Sequence, residues 1–240
     1  MSQWELFKFR KIDKYLLGML VQSEIYFARP EQLNDPFDCT VDIPNALNNA
    51  ISKADTTVPV ILQKLRDKKM LLEDIQNRIQ TVGVCSFSLE LKNTLLWAHY
   101  GDNHRGICLM YDFPETFFYK PGILGVAEVD YGESPLCAWF LEEAPSLESA
   151  EKFGTSLITK ALTIKAKSWR YEKEIRIVRE EPGIHCLERH QLKQVCFGMR
   201  TPKADVTLVR ELLTRFGYNA TVCKIVHDGK SDFGLDIVEI

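Results

Sequence analysis

The sequence predicts an α+β fold built on a mostly antiparallel sheet. Short apolar or alternating runs recur along the whole chain, at 6–10, 25–27, 82–88, 106–111, 127–131, 171–178, 192–199, 221–226 and 233–240, and each has the length and period of a strand. The helical stretches between them do not alternate strictly with the strands, as they would in a doubly wound parallel fold. No Gly/Ser/Pro-rich linker divides the chain, so residues 1–240 read as a single domain.

In order, residues 6–10 alternate as a half-buried strand. Asp13 is placed to cap a helix over 14–22, with Leu16, Leu17, Leu20 and Val21 at helical spacing. A strand at 25–27 stops before Pro30. Residues 44–80 predict two or three helices, broken at Thr56-Thr57-Val58-Pro59, as an insertion packed on the core. The stretch 82–88 is apolar enough for a central strand. A short helix at 93–100 and a turn at 101–104 lead to the strand 106–111. Ser146 or Ser149 opens a helix that runs to about Lys167 and carries Phe153, Leu157, Ala161 and Ile164. Thr201-Pro202 starts a last helix through Phe216, and Gly217 stops it by accepting a left-handed backbone.

Composition excludes some functions. The chain has 240 residues, 45% hydrophobic and 26% charged, with a net charge of −3. That balance predicts an ordinary globular protein without a bulk electrostatic grip on nucleic acid. No apolar run approaches the ~18 residues of a membrane span, and Met1-Ser2-Gln3-Trp4-Glu5 lacks a signal-peptide pattern. The seven cysteines are scattered, without CxxC or zinc-type spacing. Cys85, Cys108, Cys196 and Cys223 sit in apolar runs, as reduced core thiols do, and a cytoplasmic location is expected.

Three clusters carry chemistry. A strand at 171–178 puts Glu172, Glu174 and Arg176 on one face, the two carboxylates about 6–7 Å apart, and turns Ile175 and Ile177 to the core. Ser86 and Ser88 share a face of the 82–88 strand. Trp97, His99 and Tyr100 follow on a helix, where aromatic rings are suited to flank a flat ligand. Arg10, on the first strand, has the planar fork that grips phosphate, with Lys8 and Lys11 as neighbouring alternatives.

Leu33-Asn34-Asp35-Pro36-Phe37-Asp38, Cys85–Ser88, Trp97-Ala98-His99-Tyr100, the Gly106-led strand, Trp169–Arg176 and Phe197–Arg200 together resemble the signatures of an uncharacterised bacterial domain family. More distantly, the order Arg, Ser-x-Ser, Glu-x-Glu resembles the arginine–serine–glutamate class of ADP-ribosyltransferases. That resemblance implies a split, mostly antiparallel sheet, with NAD as the substrate. It implies that Arg10 holds the dinucleotide phosphates and Ser86 supports the site. Glu174 would bond the ribose and stabilise its cation, and Glu172 would orient a macromolecular acceptor of unknown identity. The chain departs from the class in having Ser-Phe-Ser for Ser-Thr-Ser, the 33–38 signature and the helical insertion.

Two other readings stay open. Asp35, Asp38, Glu172 and Glu174 suit Mg²⁺ or Mn²⁺ in a nuclease or phosphoesterase. A Glu-x-Lys nuclease would need lysine where Glu174 stands, so no metal is the favoured expectation. Alternatively, the same residues form a non-catalytic module that binds a nucleotide or a partner. The 33–38 segment is a turn by its Asn-Asp-Pro chemistry and could line the ligand cleft.

Overall fold

The computed structural model describes residues 3–54, 58–146 and 149–240. Its elements run β1 (Gln3–Arg10), α1 (Lys14–Gln22), β2 (Glu24–Phe27), α2 (Ile43–Lys53), α3 (Val58–Arg66), α4 (Lys69–Ile79), β3 (Gly83–Ser88), α5 (Thr94–His99), β4 (Ile107–Pro114), β5 (Ile123–Glu128) and β6 (Asp130–Gly132). They continue through α6 (Pro135–Glu142), α7 (Ala150–Leu162), β7 (Ile164–Ala166), β8 (Glu174–Arg179), β9 (Gly183–Cys186), β10 (Leu192–Phe197), α8 (Lys203–Arg215), β11 (Thr221–His227) and β12 (Leu235–Glu239). This is an α+β fold. Its main sheet has eight strands in the order β12-β11-β10-β4-β1-β3-β8-β5, antiparallel except for β10 with β11.

The ladder is uneven. β1 pairs with β4 along its whole length, from Gln3↔Pro114 to Arg10↔Ile107, and β3 pairs with β8 from Gly83↔Arg179 to Ser88↔Glu174. Between β1 and β3, among the described residues, only Phe7↔Ser88 pairs. Further along β3, Val84 instead exchanges two backbone hydrogen bonds with Ala28, just after β2. The two strands therefore part beyond one pair, and a cleft opens between their edges.

Three apolar clusters hold the sheet. Leu16 and Leu20 of α1 and Val209 and Leu213 of α8 bury with Phe87, Phe113, Ile175 and Ile177. The helices after residue 42 cover the β3–β8 end, burying Ile43, Leu47, Leu72, Ile75, Trp139 and Leu157 with Val84 and Val178. A smaller cluster of Phe9, Leu96, Trp97, Cys108, Cys196 and Cys223 fills the space beneath α5. All seven cysteines are free.

Local signals mark several helix ends. Asp13 accepts from the Tyr15 and Leu16 amides at the start of α1, Asn93 from Leu95 and Leu96 at α5, and Ser149 from Lys152 at α7. Gly217, at φ 71°, follows α8. The 44–80 region forms three helices; Thr56 and Thr57 lie outside the described residues, and Val58-Pro59 opens α3.

Two expectations are corrected. The helix to Lys167 ends at Leu162, and Ile164 belongs to β7, where β-branched Thr163 and Ile164 begin a parallel pairing with β6. The strand expected at 171–178 starts only at Glu174, after a 3₁₀ turn at Lys167–Glu172. The helix α6 escapes a periodicity reading because Leu136, Cys137, Trp139 and Phe140 are all buried, leaving no single apolar stripe. No helix among the described residues is long and apolar enough to cross a membrane.

Candidate functional site

The cleft between β1 and β3 has a volume of about 330 Å³. Arg10, Ser86, Ser88, Tyr100, Glu172 and Glu174 all line it. Lys8 joins Arg10 on the β1 wall, Lys165 and Asp38 sit with the glutamates, and Tyr26, Gln32, Leu33 and Asn34 form the outer rim.

The acidic wall is a buried ionic network. Arg176, on β8 and fully buried, donates to Asp38 through two nitrogens (Nη1–Oδ1 2.8 Å, Nη2–Oδ2 2.7 Å) and to Glu174 through Nε–Oε1 at 2.7 Å and Nη2–Oε2 at 3.1 Å. Its Nη1 also reaches the Leu162 carbonyl at 2.7 Å and the Cys39 sulfur at 3.2 Å. Lys165 Nζ lies among three carboxylates, 2.6 Å from Glu172, 3.0 Å from Glu174 and 3.4 Å from Asp38. Tyr100 donates its hydroxyl to Glu172 Oε1 at 2.5 Å. Three carboxylates against two cations leave the wall with a net charge of −1.

These partners set the protonation states. Burial favours the neutral acid in both glutamates, but the balance differs. For Glu174 the nearby Arg176 and Lys165 charges and a Ser86 hydrogen bond overcome burial and hold the carboxyl down at about 2. For Glu172 burial prevails over Lys165 and Tyr100, and its pKa is raised. The pair thus holds one firmly ionised carboxylate beside a more basic one. Lys165 is raised despite burial by the three acids around it and stays an ammonium.

Glu172 reaches this wall by a route other than strand alternation. It ends the 3₁₀ turn, and Lys173 then takes a left-handed conformation, φ 43° and ψ 55°, before β8 begins. The Ser88 hydroxyl donates to the Glu172 carbonyl at 2.7 Å and accepts from the Glu90 amide at 3.0 Å. Ser88 is therefore committed to the backbone and positions the turn, while Ser86 faces the Glu174 carboxylate. Both of the other aromatic expectations are corrected. Trp97 is wholly buried, donates Nε1–H to the Leu91 carbonyl at 2.8 Å and packs edge-on against Phe9, because its ring fills the cluster under α5. His99 is exposed on the outer side of α5 against Tyr100 and Tyr171, and does not line the cleft.

The 33–38 segment is a turn and a cleft wall at once. Asp35 accepts from the Phe37 amide at 2.9 Å and from Trp169 Nε1 at 2.8 Å, and Asp38 is clamped by Arg176. Asp35 thus faces Trp169, and the Lys165 ammonium stands where a cation shared by Asp38, Glu172 and Glu174 would be held. Among the described residues no group of three or more His, Cys, Asp or Glu is arranged to hold a metal.

Sequence reasoning gave Lys165 no role in the site, and named Asp38 only as a carboxylate of the metal alternative and as part of the 33–38 turn. Lys165 lies in a stretch whose spacing also suits a helix, and Asp38 depends on a partner 138 residues away. The one available signal was that Glu172, Glu174 and Arg176 stand close together without enough positive charge to balance a second acid.

Residues 96–177 match the model of a family described as a protein of unknown function (DUF2971). That segment holds Tyr100, Lys165, Glu172, Glu174 and Arg176; Arg10, Asp38 and Ser86 lie before it. No curated protein and no solved structure matches the chain.

Proposed function

We propose that the cleft binds NAD and breaks its nicotinamide–ribose bond, passing ADP-ribose to an acceptor or to water. The observation that carries this reading is the polarity of the cleft. Lys8 and Arg10 on β1, which have no ion-pair partner among the described residues, line the same cleft as a wall of net charge −1, and NAD has the matching polarity: an anionic diphosphate at one end of the ribose and a cationic pyridinium at the other. A volume of about 330 Å³ suits the nicotinamide riboside half, near the lower limit of small-molecule pockets. The rest of the dinucleotide would leave past Tyr26 and Asn34.

The chemistry follows from those charges. As the C1′–N1 bond breaks, its electron pair leaves with the ring, which becomes neutral nicotinamide and needs no proton. Positive charge moves to C1′ and the ring oxygen of the ribose. Glu174, ionised across the neutral pH range, stabilises it from a preorganised, low-dielectric position. Ser86 and Arg176 fix that carboxylate. The incoming acceptor hydroxyl then forms the new bond to C1′ and loses a proton, which the raised pKa of Glu172 suits it to take; water in its place can lose its proton to solvent. Arg10 engages phosphate, which is charged before the reaction begins.

The test is nicotinamide release from NAD by the purified chain, with and without cell extract as a source of acceptor. Glu174→Gln should cut turnover about a hundredfold or more, the loss of a contribution near 3–4 kcal/mol to the barrier. It should change NAD affinity much less. Arg10→Ala should weaken binding first. Glu172→Gln should spare hydrolysis more than transfer. Wild-type protein that neither binds nor consumes NAD would remove this reading and leave a non-catalytic binding module.

A further inference from the structure

We infer that Lys8 is a second anion-binding residue of the cleft, and that Lys8 and Arg10 together select a ligand with two linked phosphates over one with a single phosphate. The inference deepens the reading proposed above and rests on it for the rest of the ligand.

Lys8 and Arg10 stand two residues apart on β1, so at strand period they share a face and lie about 6–7 Å apart. Both line the cleft and both are half-buried. The nearby basic residue Lys11 differs: it is exposed and pairs with Asp13 at 3.3 Å. Neither Lys8 nor Arg10 has an acidic partner within ion-pair distance among the described residues. The acids of the opposite wall are already engaged by Lys165 and Arg176.

The Lys8 ammonium is nevertheless held in place. It donates to the Ser86 carbonyl at 2.7 Å and sits 5.4 Å from the centre of the Phe87 ring. That carbonyl belongs to the edge of β3 that has parted from β1. An ammonium has three N–H groups, and one bond to a carbonyl leaves two for a ligand. Lys8 therefore bridges the mouth of the parted strands without an ion-pair partner among the described residues, next to an arginine whose acidic neighbour, Asp13, lies beyond ion-pair distance. Burying two like charges side by side is unfavourable until an anion joins them. A diphosphate carries charge on two adjacent phosphorus centres and meets both cations at once. Orthophosphate meets one well or two poorly.

The test uses the full chain and inorganic anions, measured by titration calorimetry at fixed ionic strength. Wild-type protein should bind pyrophosphate at least about tenfold more tightly than orthophosphate, the worth of one added charge-assisted hydrogen bond. Lys8→Met keeps the apolar stem over Phe87 and removes the charge. It should lower pyrophosphate affinity about tenfold, leave orthophosphate nearly unchanged and so abolish the preference. Lys8→Arg should restore it. Should Lys8→Met fail to fold, because its bond to Ser86 closes the sheet, the wild-type preference and the Lys8→Arg protein still decide the matter. Equal affinity of wild-type protein for the two anions, or a preference that survives in Lys8→Met, would overturn the inference. A Lys8-dependent pyrophosphate preference in a protein that never consumes NAD would support this site while removing the transferase reading. Normal NAD turnover and affinity in Lys8→Met would remove this site alone.

Discussion

Replacing Arg176 with methionine tests whether the ionic network is what holds the cleft wall together. Methionine has a similar stem and no charge, so the apolar packing of the side chain is largely kept. The change deletes six donated bonds, to Glu174, Asp38, the Leu162 carbonyl and the Cys39 sulfur. It also moves the buried wall from a net charge of −1 to −2, with Lys165 alone facing three carboxylates. Removing one partner from a buried ion pair costs about 3–5 kcal/mol because the other charge stays behind without water. For a chain of this size, each kcal/mol moves the melting temperature by about 2–4 °C, so the variant should melt roughly 6–20 °C lower. Urea unfolding should show a lower midpoint with an unchanged slope, since the exposed surface is the same. The double variant Arg176→Met with Asp38→Asn returns the wall to −1 and should recover about 1–2 kcal/mol of that loss. If Arg176→Met is within about 1 kcal/mol of wild type, or the double variant is merely additive, the network is not the anchor described here.

Three further outcomes follow from the same geometry. Glu174 is depressed to about 2 from an ordinary 4.5, so the stability it contributes is complete above about pH 4.5 and is lost as pH falls through 2. Glu172, raised by burial, works in the opposite sense, and acid unfolding followed by circular dichroism should be blunted in Glu174→Gln. Tyr100→Phe removes the 2.5 Å donor to Glu172 and should raise the pKa of that acid further, shifting the acidic limb of the pH–rate profile for NAD cleavage upward with a stability loss of about 1–2 kcal/mol. Gly106→Ala would drive a Cβ into the backbone carbonyl of Arg10, which cannot yield as a side chain could. It should destabilise the protein by about 2 kcal/mol or more and weaken NAD binding with it, by calorimetry on the two proteins.

Much of the fold was legible because its signals are local. The limits of α1 follow from Asp13 and the spacing of Leu16 and Leu20, and those of α8 from Pro202 and Gly217. The strands at β1, β3, β4 and β10 show in their apolar runs. What was hidden depends on distant partners. β9 is four residues long and half exposed, and becomes a strand only beside β2. The start of β8 was misplaced because Tyr171 to Glu174 alternates in sequence as a strand would, whereas the Ser88 hydroxyl and the Asn93 side chain hold the Glu172 and Tyr171 carbonyls in a turn. In the site, Arg10, Ser86, Glu172 and Glu174 could be picked out by residue type. Trp97 was misjudged because an aromatic beside a polar motif reads the same whether it faces a ligand or fills a core. Asp38 was grouped with the glutamates as a metal ligand, and its actual partner appears only once Arg176 is seen to reach it.

The seam between β1 and β3 gives the protein an uneven mechanical make-up. Along β1–β4 and β3–β8, pulling two strands apart means breaking a ladder along six or more residues. At Phe7↔Ser88 it means breaking one pair and drawing the Lys8 ammonium off a single carbonyl. Strain from an arriving ligand would concentrate on that line. The opening could breathe at little cost while the two stiff half-sheets on either side kept their registers, much as a folded card bends only along its crease.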